Sequence, residues 1–460
     1  MFKKNESTPA VPKGIRINSN RSEKAASKAK RTPPTRSDVN RAVGGSVDRT
    51  SSVYIENYKL VDDQVVSKYA DLAVEALFNH EVRKDLEAIL RKEFRHISVS
   101  NLEAIMSEII GLGKFEDLIM DETVTDLGFN GNKLWIETNN GKEIYDDLGI
   151  DEQYINRIVQ RFANYAHKEF SEKAPLLNAQ LGNIRISATH RSVSIAGTSM
   201  SMRHARARLV LHKDNFNHLA DPAVYDLLRS FVESGSNILI DGVVGTAKTE
   251  LTKLLIGFIP DRDKIIMIED TPETHIKTIY PDKDVLNWIL LDSMTPSDLI
   301  AQAKRNNPVH VILTEARDHA VFEIHQSVKA GFKIMLSIHS EDAKSVPSVM
   351  IDLMKQKYRV DEDRMFDEIK KYYDIGVHME KRVLADGRMI RFISEIVEYT
   401  DDGLHTLFER RLDESRGNIF TDTFPHDISD KKKTLMSERR VSTRWSDVVG
   451  TEKEVKESGS

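Results

Sequence analysis

The chain has 460 residues, 40% of them hydrophobic and 30% charged, which is enough apolar material for about two or three packed domains. No apolar run approaches the roughly 18 residues of a membrane span, and the first residues lack the apolar core of a secretory signal. Cysteine is absent, which excludes disulfides and thiolate metal sites and fits a reducing cytoplasm.

Charge is uneven. Residues 1–50 hold 12 Lys/Arg against 4 Asp/Glu, a surplus of 8 cations; with −6 for the whole chain, the rest carries −14. Residues 1–55 are poor in large apolar side chains and read as a disordered basic arm. Such an arm is a solvated tail, or it touches acidic lipid or nucleic acid. Residues 60–112 follow as helices, with Leu72, Val74, Leu77, Val82, Leu86 and Leu90 as apolar positions. A strand is expected at 124–129. Residues 133–138 and the Asn139-Asn140-Gly141 turn open a hairpin. An amphipathic helix is expected at 154–170, then short strands at 183–188, 193–196 and 199–203. Together, residues 56–215 form a mixed α/β unit.

From about residue 217 strand and helix alternate. Strands are expected near 237–241, 264–268, 285–291, 309–314 and 333–338, with helices at 248–259, 296–306, 318–329 and 342–356. This rhythm argues for a largely parallel sheet covered by helices. Further strands are expected at 375–379, 389–400 and 404–410. Residues 416–460, charged and serine-rich, read as a flexible tail.

The chemistry concentrates at the strand ends. After the apolar run Ile238 to Ile240 come Gly242, Gly245, Thr246, Ala247, Lys248 and Thr249. A G-x-x-x-x-G-K-[ST] loop cradles phosphates with backbone N–H groups at a helix N-terminus. Here the last glycine is Ala247. Lys248 would reach β- and γ-phosphates, and the Thr249 hydroxyl would ligate Mg²⁺. Alone, the incomplete motif also fits an ordinary strand–turn–helix. Glu269, Asp270 and Glu273 follow the next strand, and Glu315 and Arg317 the one near 309–314. In parallel sheets ligands sit at the carboxyl ends of strands, so these carboxylates would face the loop and hold Mg²⁺ or polarise a water. A single such acid would read as a helix cap. His339 ends the strand at 333–338, where a histidine is either a sensor of the γ-phosphate or a packing residue. The other histidines form no metal-ligand cluster, and His319 and His325, six apart, read as non-metal.

The order of phosphate loop, Ile268-Glu-Asp-Thr-Pro-Glu273, Glu315-Ala-Arg317 and Ser337-Ile-His339 resembles the secretion-ATPase superfamily of type II and type IV secretion and pilus machines, nearest its tight-adherence and type IV branch. Val124-Thr-Asp-Leu-Gly-Phe-Asn-Gly131 is similar to the opening of that family's N-terminal domain, and Ile393-Ser-Glu-Ile396 to its I-S-E-V. The resemblance spans about residues 60–412. It implies an aspartate box at Glu269 to Glu273, a Walker B glutamate at Glu315, a His-box histidine at His339, and nucleotide-reaching arginines at Arg185 and Arg203. Ala247, Thr314, Asn307, Gly331 and Lys333 depart from the family pattern.

The expected fold is thus α/β: a smaller N-terminal α/β domain at 56–215 ahead of a RecA-like P-loop NTPase domain at 216–415. The resemblance implies a homohexameric ATPase using ATP and Mg²⁺. Its catalytic residues would be Glu315, Lys248, Arg185 and Arg203, and its metal-shell residues Thr249, Glu269, Asp270 and Glu273. Such a motor would sit in the cytoplasm at the inner face of the membrane. Docked on platform proteins there, it would drive secretion, pilus assembly or conjugation, with DNA contact weak or indirect. Two other readings are an ATP-binding scaffold with little hydrolysis and a nucleic-acid-associated motor using the basic arm.

Overall fold

The computed structural model describes residues 47–456 apart from 50, 77–78, 111, 122, 139–140, 146–149 and 292. Most of the basic arm, Leu77, Asn139 and Asn140 therefore lie outside the described residues. The arm's expected boundary at 55 moves: an α-helix runs Ser52–Lys68, its first turn capped by the Ser51 hydroxyl accepting the Tyr54 N–H. Helices His80–Glu93 and Val99–Ile109 follow, burying Leu86 and Leu90 of the first and Leu102, Ile105 and Ile109 of the second.

They join one core with the helices Phe115–Met120 and Glu152–Tyr165, which pack on one face of a six-stranded antiparallel sheet. Its strands are β1 (Val124–Phe129), β2 (Leu134–Thr138), β3 (Gly141–Tyr145), β4 (Leu176–Leu181), β5 (Ile184–Thr189) and β6 (Ser199–His204), in the order β3-β2-β1-β6-β5-β4. The register aligns Ala179, Ile186, Met202, Leu127 and Ile136 in one transverse row, all buried against the helices. Directly opposed residues share a face, so the neighbouring row projects from the opposite side. That row is Gln180, Arg185, Arg203, Asp126, Glu137 and Lys142.

Two expectations for this unit need correction. The strand expected at 193–196 is a turn with Val193 and Ile195 exposed. The partner of β5 is instead β4, whose inward Leu177, Ala179 and Leu181 alternate with polar or exposed positions. The amphipathic helix ends at Tyr165, before His167 enters the left-handed region at φ 52°.

The second sheet holds β7 (Ile238–Asp241), β8 (Ile265–Glu269), β9 (Val285–Ile289), β10 (His310–Leu313), β11 (Lys333–Ile338), β12 (Ile375–Val383), β13 (Met389–Thr400), β14 (Gly403–Asp413), β15 (Ile419–Thr423) and β16 (Glu452–Lys456). The order is β16-β15-β14-β13-β12-β7-β11-β10-β8-β9. From β12 to β9 the pairing is parallel; from β12 to β16 it is antiparallel. Helices on both faces explain why β7, β8 and β10 are apolar without alternation. Ile238 and Ile240 join the core that includes Phe231 and Leu251, whereas Leu239 joins the one that includes Leu299 and Ile324.

Residues 416–460 were expected to be a flexible tail, and the described part of them is built into the fold. β15 and β16 extend the sheet, and a helix at Asp430–Glu438 packs beside it. Phe420, Phe424, Met436 and Trp445 are buried. Arg410 and Asp422, both buried, form a bidentate pair at 2.6 and 2.7 Å. Apolar residues this widely spaced escape a periodicity test, yet each fills a site on the sheet.

Candidate nucleotide site

β7 delivers the chain into the phosphate loop, and the helix Lys248–Gly257 leaves it. Gly242 has φ +135°, and a Cβ there would collide with the Met379 carbonyl of β12. Ala247 is the N-cap of the helix, in the left-handed region at φ 74° and ψ 27°, with no side-chain capping bond. The first-turn amides of a ten-residue helix are thereby left for an anion. Lys248 donates to the carbonyls of Gly242 at 2.7 Å and Val243 at 3.0 Å, so its ammonium lies across the mouth of the loop. Burial pulls its pKa below the ordinary lysine value, and Glu315 and Asp241 pull it partly back. Thr246 closes the loop by donating to the Val243 carbonyl.

Around Thr249 one cavity is lined by Glu269, Asp270 and Glu273 from the end of β8, Glu315 and Arg317 from the end of β10, and Arg185 from the N-terminal sheet. One oxygen of Glu269 accepts the N–H groups of Glu273 and Thr274 at 3.2 and 3.0 Å, which folds the acidic turn back on its own strand. Burial raises the Glu269 pKa, with Asn287 and Thr274 partly offsetting it. Arg317 bridges Asp270 at 3.3 Å and Glu315 at 2.5 Å. His339 lies between two acceptors, the Gly242 carbonyl at 2.9 Å and Glu315 Oε1 at 3.0 Å. Burial pushes the Glu315 pKa up, but the hydrogen bonds from Arg317 and His339 outweigh it and hold the carboxyl below the ordinary glutamate value.

The two sheets meet here. Gln180 donates to the Pro272 carbonyl at 3.1 Å, and Arg185 stands 3.5 Å from Glu273. Arg203 lies beside Arg185 in the register, but it is held by Asp126 at 2.8 Å and does not line the cavity. The other candidate residues converge within this region. Residues the sequence left unmarked also reach it. Asp241, fully buried just before Gly242, pairs with His378 across the β7–β12 ladder. Arg391 donates to the Gly245 carbonyl at 2.8 Å, and Lys381 flanks Gly245. Arg317 could be read only as part of the Glu315-Ala-Arg317 motif, with no sign of its two partners.

The donor set suits Mg²⁺, which takes hard oxygen ligands and is held by one or two carboxylates together with substrate phosphates. Thr249, Glu269, Asp270 and Glu273 offer a hydroxyl and carboxylates around the cavity. Among the described residues no group of three or more His, Cys, Asp or Glu forms a protein-only cage.

The family model described as type II/IV secretion system protein matches residues 171–370. An uncharacterised protein of Bacillus anthracis is 35% identical over 395 residues, covering 82% of this chain and 90% of that protein. A type IV secretion system protein VirB11 of Bartonella henselae is 27% identical over 305 residues, covering 56% of this chain and 85% of that one. Among solved structures, the ATPase DotB of Legionella pneumophila is 12% identical with a TM-score of 0.46, covering 63% of this chain and 81% of that chain. No helix among the described residues is long and apolar enough to cross a membrane. With the phosphate loop, the acidic strand ends and His339 gathered at one set of strand ends and a 35% identical relative matched over most of both lengths, the chain belongs to the type II/IV secretion system protein family.

Proposed function

We propose that this protein is an ATPase that hydrolyses ATP to ADP and phosphate to power a secretion, pilus or conjugative machine. The observation that carries the reading is the convergence of Lys248, Thr249, Glu269, Glu273 and Glu315 at the carboxyl ends of parallel strands, with Arg185 added from the other sheet. Lys248 exchanges the Gly242 and Val243 carbonyls for the β- and γ-phosphate oxygens, and the loop and first-turn amides hold the rest of the anion. Thr249, Glu269, Asp270 and Glu273 would hold Mg²⁺, which when bound would supply neutralisation of the phosphate charge. Glu315, kept ionised by Arg317 and His339, orients the attacking water and accepts its proton. Arg185 offsets charge on the transferred phosphoryl group, and Arg203 follows once it leaves Asp126.

The reading includes a division near residue 216 into an N-terminal unit and an ATPase unit, the latter extended to residue 456 by the strands that lengthen its sheet. It also includes a homohexameric ring at the inner face of the membrane, docked on platform proteins. The VirB11 relative supports the secretion part of this assignment.

Purified full-length chain is expected to release phosphate from ATP. Lys248→Ala should abolish nucleotide binding. Glu315→Gln should keep binding and lower kcat by about two to four orders of magnitude, as loss of a general base does. Phosphate release unchanged in both variants would sink the assignment.

A further inference from the structure

The β12–β13 hairpin is not part of the phosphate-loop motif, yet it touches the loop at three points. The Met379 carbonyl packs where a Cβ of Gly242 would stand. Lys381 flanks Gly245, itself at φ +81°. Arg391, directly opposite Lys381 in the register, donates from Nε to the Gly245 carbonyl at 2.8 Å. The hairpin turn also reaches the N-terminal sheet: a Cβ on Gly141, at the β2–β3 turn, would collide with the Gly387 carbonyl. One hairpin thus joins the phosphate loop to the edge of the other sheet.

Gln180, Arg185, Arg203, Asp126, Glu137 and Lys142 form a polar row across all six strands of that sheet, charged at every position but Gln180. One end of the row grips the acidic turn after β8, through Gln180 to Pro272 and Arg185 to Glu273. The middle of the row acts on Arg391. Burial lowers the Arg391 pKa, and Glu137 and Asp126 counter it while Arg203 adds to it. The guanidinium is therefore half-buried, bonded to the phosphate loop and within electrostatic reach of carboxylates of the opposite sheet.

We propose that Arg391 is a positioning residue that holds the phosphate loop in register with the N-terminal sheet, so that the placement of that sheet sets nucleotide affinity. The role rests on the nucleotide-site reading above. The carbonyls of a phosphate loop face away from the anion while its N–H groups face it. Fixing the Gly245 carbonyl from outside therefore fixes the direction of the next amide. A charge-assisted bond of good length makes this a directional constraint. If the N-terminal sheet moves, the Asp126–Glu137 end of the row moves with it, and Arg391 is the group that carries the shift to the loop.

Titration of the full-length chain with ADP and Mg²⁺, alongside steady-state ATPase kinetics and thermal melts, tests this. Arg391→Gln should weaken ADP binding about tenfold and raise KM more than it lowers kcat, with an unchanged melt, as loss of a charge-assisted hydrogen bond implies. Arg391→Lys should recover part of the loss, because it keeps the charge but not the fork. Glu137→Gln should weaken binding about threefold in the parent chain and leave it unchanged in the Arg391→Gln background, the coupling expected of residues acting through one another. Arg391→Gln binding ADP within about twofold of the parent would overturn the role in the loop. Equal Glu137→Gln effects in both backgrounds would overturn the link to the sheet. A parent chain that binds no ADP would instead sink the nucleotide-site reading itself.

Discussion

At Ala247 the backbone sits at φ 74° and ψ 27°, a region that costs a residue with a Cβ roughly 1 kcal/mol. The site tolerates this because neighbouring bonds hold the loop: Thr246 to Val243, Lys248 to Gly242 and Arg391 to Gly245. Ala247→Gly should relieve the strain, raise the melting temperature by a few degrees at most, and increase the ATPase rate; an unchanged rate would show that Ala247 is no brake. A second residue-scale feature is the buried pair Asp241 and His378 beneath the loop. Burial pushes Asp241 up to about 6, against an ordinary 3.8, with His378 partly offsetting. Burial lowers His378, but Asp241 outweighs it and leaves the histidine above its ordinary value. Both folded values are raised, so the folded state binds more protons than the unfolded one over this range. The contribution is therefore full at low pH. It falls as pH rises through about 6 for Asp241, and further as it passes the raised value of His378. Melting temperatures from pH 5 to pH 8 should fall more steeply in the parent than in Asp241→Asn. Parallel profiles would contradict it.

At the scale of elements, the parallel core strands, the loop at 242–249 and the acidic strand ends are contiguous in sequence; spacing marked the strands, while the incomplete loop and each acid gained meaning only from their order together. β7, β8, β10 and β11 fall within a residue or so of the expected runs because continuous apolar stretches bounded by Gly, Asp or Glu leave little choice. β15, β16 and the helix Asp430–Glu438 were not legible. Their stretch is charged, and its few apolar groups acquire meaning only against β14 and the helix Pro222–Glu233. Trp445, 1% exposed, meets Phe424 at 5.4 Å between ring centroids. Trp445→Ala should cost about 3–5 kcal/mol in urea unfolding, as emptying a packed aromatic site does. A cost below about 1 kcal/mol would mean that the segment packs only loosely.

At the scale of the whole molecule, the N-terminal sheet turns one face to its helices and the other to the acidic turn after β8 in the second sheet. Only the second face bears on the site. Its polar row explains why Arg185 reaches Glu273 while Arg203, one strand away, remains with Asp126. Nothing in the sequence set those positions apart as one row; only the register places them in line across six strands. The sequence alone determined the glycine-bearing loop at 242–249, the acids that follow β8 and β10, and the alternation of strand and helix. These are local patterns whose chemistry depends on spacing within a dozen residues or fewer. Tertiary structure decided which groups share an oxygen or a field: His339 between Gly242 and Glu315, Asp241 beneath the loop with His378, and Arg391 between the loop and the opposite sheet. Those partners stand 24 to 146 residues apart, so only ladder order and burial could bring them together.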